Sequence, residues 1–291
     1  MSHGGDAVPI ESAVRRPSDR AYALCMFSAG RYWLARRGLL SALVGVLVCA
    51  VVAAPVWAFA SRSTQVAVVP GCGTRCPLAI FGSATATCPS GQHVLFGGFK
   101  NGFAGMRRTA NNRWTVYGEI FGSPSGAVSI GLYSMAYCGY GPVPSKATST
   151  VVVRDIGSDR YESGSATARC PAGTVVVAGG FATTPGVAVM VTALERVAAD
   201  LWRVTAYLGS ATPTALTSIA YCGPGPAPKL VSRTMENYVS GPVHATCPTG
   251  RHLVFGGAIA GTVLQTMRAK NQSTWTVGGF GAPMTALAYC R

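Results

Sequence analysis

The feature that most constrains the fold is a sequence block that recurs three times after residue 60. In each copy a cysteine is followed at once by proline, by glycine at the third position and by a Gly-Gly pair at the ninth and tenth. Each copy then carries one tryptophan and closes on Ala-Tyr-Cys. The copies begin at Cys88, Cys170 and Cys247 and close at Cys138, Cys222 and Cys290. Such a period indicates one supersecondary unit stacked three times.

Short apolar runs bounded by turn residues fill each copy, and such runs are typical of buried strands. The first of them lie at 94–96, 175–177 and 253–255, directly after the Cys-Pro-x-Gly turn. The runs at 150–154 and 229–233 predict a further strand for their units. With 36 Gly and 18 Pro leaving little room for long helices, we expect an all-β domain over 61–291. It should consist of three pseudo-symmetric units at about 64–142, 148–226 and 229–291.

The repeat also selects a disulfide pattern among the ten cysteines of the chain. Because the opening and closing cysteines recur in every unit, we expect the pairs Cys88–Cys138, Cys170–Cys222 and Cys247–Cys290. Cys72 and Cys76 lie outside the repeat, and we expect a local bridge between them. Disulfides form in oxidising compartments, so this pattern predicts an exported protein.

A basic region, residues 1–38, precedes an uncharged apolar run at 39–60 that is long enough to span a bilayer as one hydrophobic helix. The positive-inside rule places the N-terminus in the cytoplasm and residues 61–291 outside. Ala58-Phe59-Ala60 resembles a signal-peptidase site. Two interpretations stay open, a signal peptide cleaved after Ala60, which we favour, and a retained transmembrane helix.

Three units that open with Cys-Pro-x-Gly and close on a cysteine resemble the vitelline membrane outer layer proteins. The resemblance implies a β-prism of three four-stranded units over about 64–291, although the Asp-Asp-Thr stretch of those proteins is missing. The Gly-Gly and tryptophan pattern is also similar to uncharacterised secreted proteins of actinobacteria, which implies location and no activity. A β-trefoil is the alternative threefold fold, in which the three tryptophans would be core residues.

Catalytic and metal-binding patterns are not evident in the sequence. Residues 61–291 contain seven acids and three histidines, spread widely. His93 and His252 occupy equivalent positions, but Val175 stands there in the second unit, which favours a strand position over a ligand. We therefore expect no enzyme activity, no metal and no cofactor.

The chain carries a formal charge of +14, which favours acidic partners. An arginine lies six or seven residues before each tryptophan, at Arg108, Arg196 and Arg268. We interpret these arginines as candidate ligand-binding residues in three equivalent basic loops. The sequence favours a structural or adhesive protein of the cell surface, and the alternative is a lectin-like module that binds cell-envelope glycans or anionic polymers. Nucleic acid is not an expected partner, and a membrane is one only through residues 39–60.

Overall fold

The computed structural model describes residues 59–291, except 68–78, 102–104, 122–130, 154–162, 185–186, 188, 209–212, 238–240 and 262. The basic region 1–38, the apolar run up to residue 58 and the predicted Cys72–Cys76 bridge lie outside these residues. In the described part of the chain, no helix is long and apolar enough to cross a membrane.

All regular elements in the described part of the chain are β-strands, so the all-β prediction is confirmed. Unit 1 contains β1 (Ser61–Ala67), β2 (Ala79–Thr87), β3 (His93–Lys100), β4 (Gly105–Ala110), β5 (Arg113–Phe121) and β6 (Leu132–Gly139). Unit 2 contains β7 (Ser145–Val153), β8 (Ser163–Arg169), β9 (Val175–Thr183), β10 (Val189–Ala198), β11 (Leu201–Leu208) and β12 (Thr214–Gly223). Unit 3 contains β13 (Lys229–Met235), β14 (Val243–Thr246), β15 (Leu253–Ala260), β16 (Val263–Ala269), β17 (Thr274–Phe280) and β18 (Met284–Cys290).

Each unit therefore has six strands among its described residues, and the expected count of four is wrong. Residues 150–153 of the first predicted run lie in β7, with residue 154 outside the described residues, and the run at 229–233 begins β13. β8 is an example of a strand that the sequence analysis missed. Its sequence is SGSATAR, and its two alanines are its only buried residues. Small residues alternating with polar ones give a weak strand signal, because little apolar surface marks the buried face.

The strands form three antiparallel six-stranded sheets, and every sheet is shared by two units. Each unit gives its first, sixth and third strands to one sheet and its second, fifth and fourth to another. Sheet A has the order β1-β6-β3-β16-β17-β14, sheet B the order β2-β5-β4-β9-β12-β7, and sheet C the order β13-β18-β15-β10-β11-β8. Unit 3 thus pairs back to unit 1 in sheet A, and the three units close into a ring.

The tryptophan of each unit is fully buried and lies over the first glycine of its own Gly-Gly pair. A Cβ at that glycine would overlap the indole ring, so no larger residue fits without moving the tryptophan. The pairs are Gly97 with Trp114, Gly179 with Trp202 and Gly256 with Trp275. In units 2 and 3 the indole Nε1 also donates a hydrogen bond, to the carbonyl of Gly180 at 3.2 Å and of Gly257 at 2.9 Å.

The second glycine of each pair lies against the neighbouring unit. A Cβ at Gly180 would stand 2.6 Å from the carbonyl oxygen of Met106, which belongs to unit 1. Gly98 and Gly257 have the same relation to the carbonyl oxygens of Met267 and Leu194. The Gly-Gly pair thus allows two close approaches, one of the tryptophan within the unit and one of the backbone across units.

The three disulfides predicted from the repeat are confirmed. Cys88–Cys138, Cys170–Cys222 and Cys247–Cys290 have Cα–Cα distances of 5.6, 5.6 and 5.7 Å. Each joins the turn before the third strand of a unit to its sixth strand. In that turn the glycine has a φ of 77° or 78°, which a type II turn requires at its third residue. These disulfides indicate an oxidising, extracytoplasmic environment.

Replacing the first glycine should be severe, and Gly179→Ala is the direct test. Because its Cβ would overlap the ring of Trp202, we expect a loss of about 3 kcal/mol or more in the free energy of unfolding. Gly241→Ala is the matched control, since a Cβ there meets nothing within 4 Å. Denaturant unfolding of both variants should separate them, and equal stability would contradict the packing described here.

Candidate functional site

The three predicted arginines lie on strands, and only two of them occupy equivalent positions. Arg108 on β4 pairs with Trp114, and Arg196 on β10 pairs with Trp202. In unit 3 the residue that pairs with Trp275 is Ala269, whereas Arg268 pairs with Thr276. The predicted set of three equivalent basic loops is therefore wrong, because β16 places Arg268 one position away from the other two.

Arg108 and Arg196 are half-buried at the places where two units meet, which we call the joints. A joint is the contact between the fourth strand of one unit and the third strand of the next: β4–β9, β10–β15 and β16–β3. The Arg108 guanidinium lies over the ring of Tyr221, 4.8 Å from its centroid, and donates a hydrogen bond of 2.6 Å to the carbonyl of Pro144. Burial lowers the pKa of the Arg108 guanidinium, and the nearby Tyr221 partly offsets this.

Arg196 repeats this arrangement at the next joint. Its guanidinium lies 4.7 Å from the centroid of the Tyr289 ring and donates a 2.5 Å hydrogen bond to the carbonyl of Pro228. Burial lowers its pKa as well. Both arginines thus tie one unit to the next, and their cation–π and hydrogen-bonding groups are directed into the protein. A ligand-binding role for them stays a prediction.

The tyrosine of each Ala-Tyr-Cys closure fastens the joint from the other side. Its hydroxyl accepts a hydrogen bond from a backbone amide of the preceding unit in the ring. The donors are Arg108 to Tyr221 at 2.6 Å, Arg196 to Tyr289 at 2.8 Å and Ala269 to Tyr137 at 2.7 Å. All three tyrosines are buried, and burial raises the pKa of each to about 12.

The joint between units 3 and 1 is completed differently, since Ala269 supplies no guanidinium. Phe59 packs there, with its ring centroid 5.1 Å from that of Tyr137 and 5.7 Å from that of Phe96. The Arg62 side chain of β1 is within hydrogen-bonding reach of the Tyr137 hydroxyl. The amide of Ala60 donates a 2.7 Å hydrogen bond to the carbonyl of Cys138 and extends the pairing of β1. The last two residues of the predicted apolar run are therefore part of the β domain. Sequence reasoning missed Phe59 because it counted this residue with the hydrophobic segment.

Two ion pairs occur among the described side chains, and both lie in unit 2. Arg169 pairs with Asp200 and Arg203 with Glu195, each at 2.6 Å. Glu236 is the remaining acidic residue whose side chain the structure describes. Both described ion pairs therefore involve basic side chains of unit 2.

His93 and His252 stand at the starts of two equivalent strands, as expected from the repeat. Burial, followed by the charge of Arg108 for His93 and of Arg291 for His252, lowers the pKa of both imidazoles. Within the described residues, no three His, Cys, Asp or Glu side chains come close enough to hold a metal ion.

Comparison with known proteins finds no family model that matches the chain and no curated protein that matches it significantly.

Removing one joint hydroxyl, as in Tyr221→Phe, should weaken the fold by about 1–2 kcal/mol at neutral pH, because the Arg108 amide loses its partner.

The tyrosines should also make the fold sensitive to alkali. Their pKa rises from about 10 in the unfolded chain to about 12 in the folded one, so folding keeps them neutral. Their contribution is complete below the lower value and is lost as the pH rises towards the higher one. Unfolding measured against pH should show a smaller alkaline loss for Tyr221→Phe than for the parent, and an identical profile would refute the assignment.

Phe59→Ala tests whether this residue closes the joint between units 3 and 1. Loss of two aromatic contacts and part of the core should cost about 2 kcal/mol in the free energy of unfolding. Val66→Ala, at an exposed position of the neighbouring β1, should change stability by less than about 0.5 kcal/mol. If both variants unfold at the parent's denaturant midpoint, Phe59 does not contribute to the ring.

Proposed function

We propose that this chain is an exported protein whose ring of three units has a structural or adhesive role at the cell surface. The observation that carries the proposal is how the repeated residues are used. The cysteines are joined, the glycines lie against tryptophan or neighbouring backbone, and the tyrosine hydroxyls bind across the joints. The repeat therefore builds a rigid body, and on this proposal its role is non-catalytic.

Rigidity is what such a role requires outside the cell, where chaperones and metabolic repair are scarce. In the chain-entropy account each disulfide, closing a loop of 43 to 52 residues, contributes about 4 kcal/mol to stability. The closed ring adds pairing between the first and third units, so the fourth strand of each unit has a partner. Unpaired strands are the usual sites of unwanted association, and the ring covers these three.

We further propose that the fold is of the β-prism type, as the resemblance to the vitelline membrane outer layer proteins implies. Three separate six-stranded sheets, each built by two units, support a prism over a β-trefoil. Residues before Phe59 would then lead either to a cleaved signal peptide or to a membrane anchor with the N-terminus in the cytoplasm. We no longer favour cleavage directly after Ala60, because it would remove Phe59 from its contact with Tyr137 at the joint.

A second candidate function is binding of an anionic polymer or glycan of the cell envelope. The charge of residues 61–291 supports it, because 18 Lys and Arg against 7 Asp and Glu give +11. Long-range attraction of this kind concentrates acidic partners at the surface and weakens as salt screens it.

Cell-surface location and adhesion can be tested together on cells that make the full chain. Protease added to intact cells and a membrane-impermeant label for lysines should both reach residues 59–291. The cysteines of the three disulfides should react with a thiol-alkylating reagent only after reduction. Beads that carry the oxidised chain should bind isolated envelopes, while beads that carry the reduced and alkylated chain should not. Recovery with the cytosol and free Cys88 or Cys138 would refute the proposal. Envelope binding that is lost at high salt would select the polymer-binding candidate over general adhesion.

A further inference from the structure

One row of three cross-strand neighbours recurs in every unit, one position away from the buried tryptophan. It runs across the fourth, fifth and second strands of the unit, and we call it the outer triplet. The triplets are Arg107–Thr115–Thr85 in unit 1, Glu195–Arg203–Thr167 in unit 2 and Arg268–Thr276–His244 in unit 3. The same backbone position therefore carries three different sets of side chains.

In units 1 and 2 the arginine of the triplet has a partner within its own unit. In unit 2 the Glu195 carboxylate accepts two hydrogen bonds from Arg203, at 3.2 and 2.6 Å. In unit 1 the guanidinium of Arg107 lies over the ring of Tyr117, 5.2 Å from its centroid. The remaining members of that triplet, Thr85 and Thr115, share a hydrogen bond of 2.9 Å.

The triplet of unit 3 gathers positive charge and no carboxylate. The Nδ1 atom of His244 and the hydroxyl of Thr276 are hydrogen-bonded at 2.9 Å. Partial burial lowers the pKa of this imidazole, and Lys270, Arg233 and Arg268 lower it further because all three are near enough to repel its protonated form. Arg268, Lys270 and Arg233 are all exposed.

Every element packed against β14 agrees with this assignment. β13 supplies Arg233, and the partner strand β17 has no titratable residue. Arg268 and Lys270 come from β16 and the residue after it, which lie beyond β17 in sheet A. β18 contributes the buried Tyr289, which is hydrogen-bonded to Arg196. Like charges grouped in this way reduce stability. An anionic group placed among them would relieve the repulsion and receive charge-assisted hydrogen bonds.

We propose that His244, Arg268, Lys270 and Arg233 form a binding site for the phosphate or carboxylate groups of an anionic polymer, with tighter binding at acidic pH. The proposal rests on the second candidate function and assigns it to one face of unit 3. Arg108 and Arg196 have no part in this site, because they are directed into the joints.

The pH dependence follows from proton linkage. In the free protein the pKa of His244 lies below the ordinary imidazole value of about 6.5. A bound anion beside the ring raises that pKa, so binding takes up a proton. Affinity should therefore rise as the pH falls below the ordinary imidazole value, and it should level off once the ring is protonated in the free protein as well.

The experiment measures binding of the full chain to inorganic polyphosphate and to polygalacturonate, at about pH 7.5 and about pH 5.5 so that the two values bracket the ordinary imidazole pKa. Arg268→Glu gives the triplet of unit 3 an acid where unit 2 carries Glu195. Arg107→Glu makes the same change of charge at the equivalent position of unit 1 and serves as the matched control. His244→Gln keeps a hydrogen-bonding side chain towards Thr276 and removes the titration.

We expect the parent to bind at least one polymer several-fold more tightly at the acidic pH, because one imidazole then gains its charge in the site. Arg268→Glu should weaken binding about tenfold, the size of one lost charge-assisted contact, while Arg107→Glu should stay within about twofold of the parent, a difference small beside one contact. His244→Gln should bind at neutral pH like the parent and lose the tightening at acidic pH. Tighter binding to one polymer assigns the site to phosphate or to carboxylate groups.

Each of five results would overturn the proposal. Equal losses for Arg268→Glu and Arg107→Glu would mean that net charge alone matters, and an unchanged pH response in His244→Gln would remove the histidine from the site. Binding confined to vesicles of phosphatidylglycerol would replace the polymer with a membrane surface. If the parent binds neither polymer at either pH, the second candidate function fails as a whole, whereas polymer binding that ignores Arg268→Glu refutes only this site. Thermal unfolding of each variant confirms that the fold is intact.

Discussion

The structure depends on the sharing of every sheet by two units. A unit of six strands contributes two halves, and neither half is a complete sheet until a neighbour adds its own three strands. At each joint the approach is so close that only glycine fits opposite the neighbouring carbonyl, and a buried tyrosine hydroxyl receives the backbone amide beside it. The backbone amide and the tyrosine hydroxyl of each joint are thereby paired. Stability of one unit is consequently bound to the presence of the other two.

Much of this architecture could be predicted from the repeat, because repeated residues mark repeated contacts. The cysteine pairing, the all-β class and the turn glycines follow from identical spacing in three copies. The joints could not be predicted, since sequence spacing says nothing about which unit a strand pairs with. The roles of the two adjacent glycines illustrate this: both look like turn or packing residues, but one accommodates a side chain of its own unit and the other the backbone of a neighbour.

The candidate site shows the reverse case, in which apparent repetition misleads. Counting residues back from each tryptophan groups Arg268 with Arg108 and Arg196, but a difference of one position in a strand moves a side chain to the opposite face. Arg108 and Arg196 stack on tyrosines at the joints, whereas Arg268 belongs to the outer triplet. The departures from symmetry, Ala269 with Phe59 at one joint and His244 in one triplet, are where the units differ chemically. On the proposals made above, these are the positions that would give individual units their own function.

Closure of the ring has a consequence for the order in which the chain can fold as it is made. β3 of unit 1 must wait for β16, which is synthesised more than 160 residues later, before sheet A is complete. Until then Phe96 and the Gly-Gly backbone of unit 1 keep an open edge, and such edges are exposed to wrong partners during slow, non-local pairing. Once β16 has been made, the edge can pair with the β16 strand of another molecule as well as with its own. Crowding of nascent chains should therefore favour domain-swapped oligomers, and slow release of separated chains should favour the closed monomeric ring.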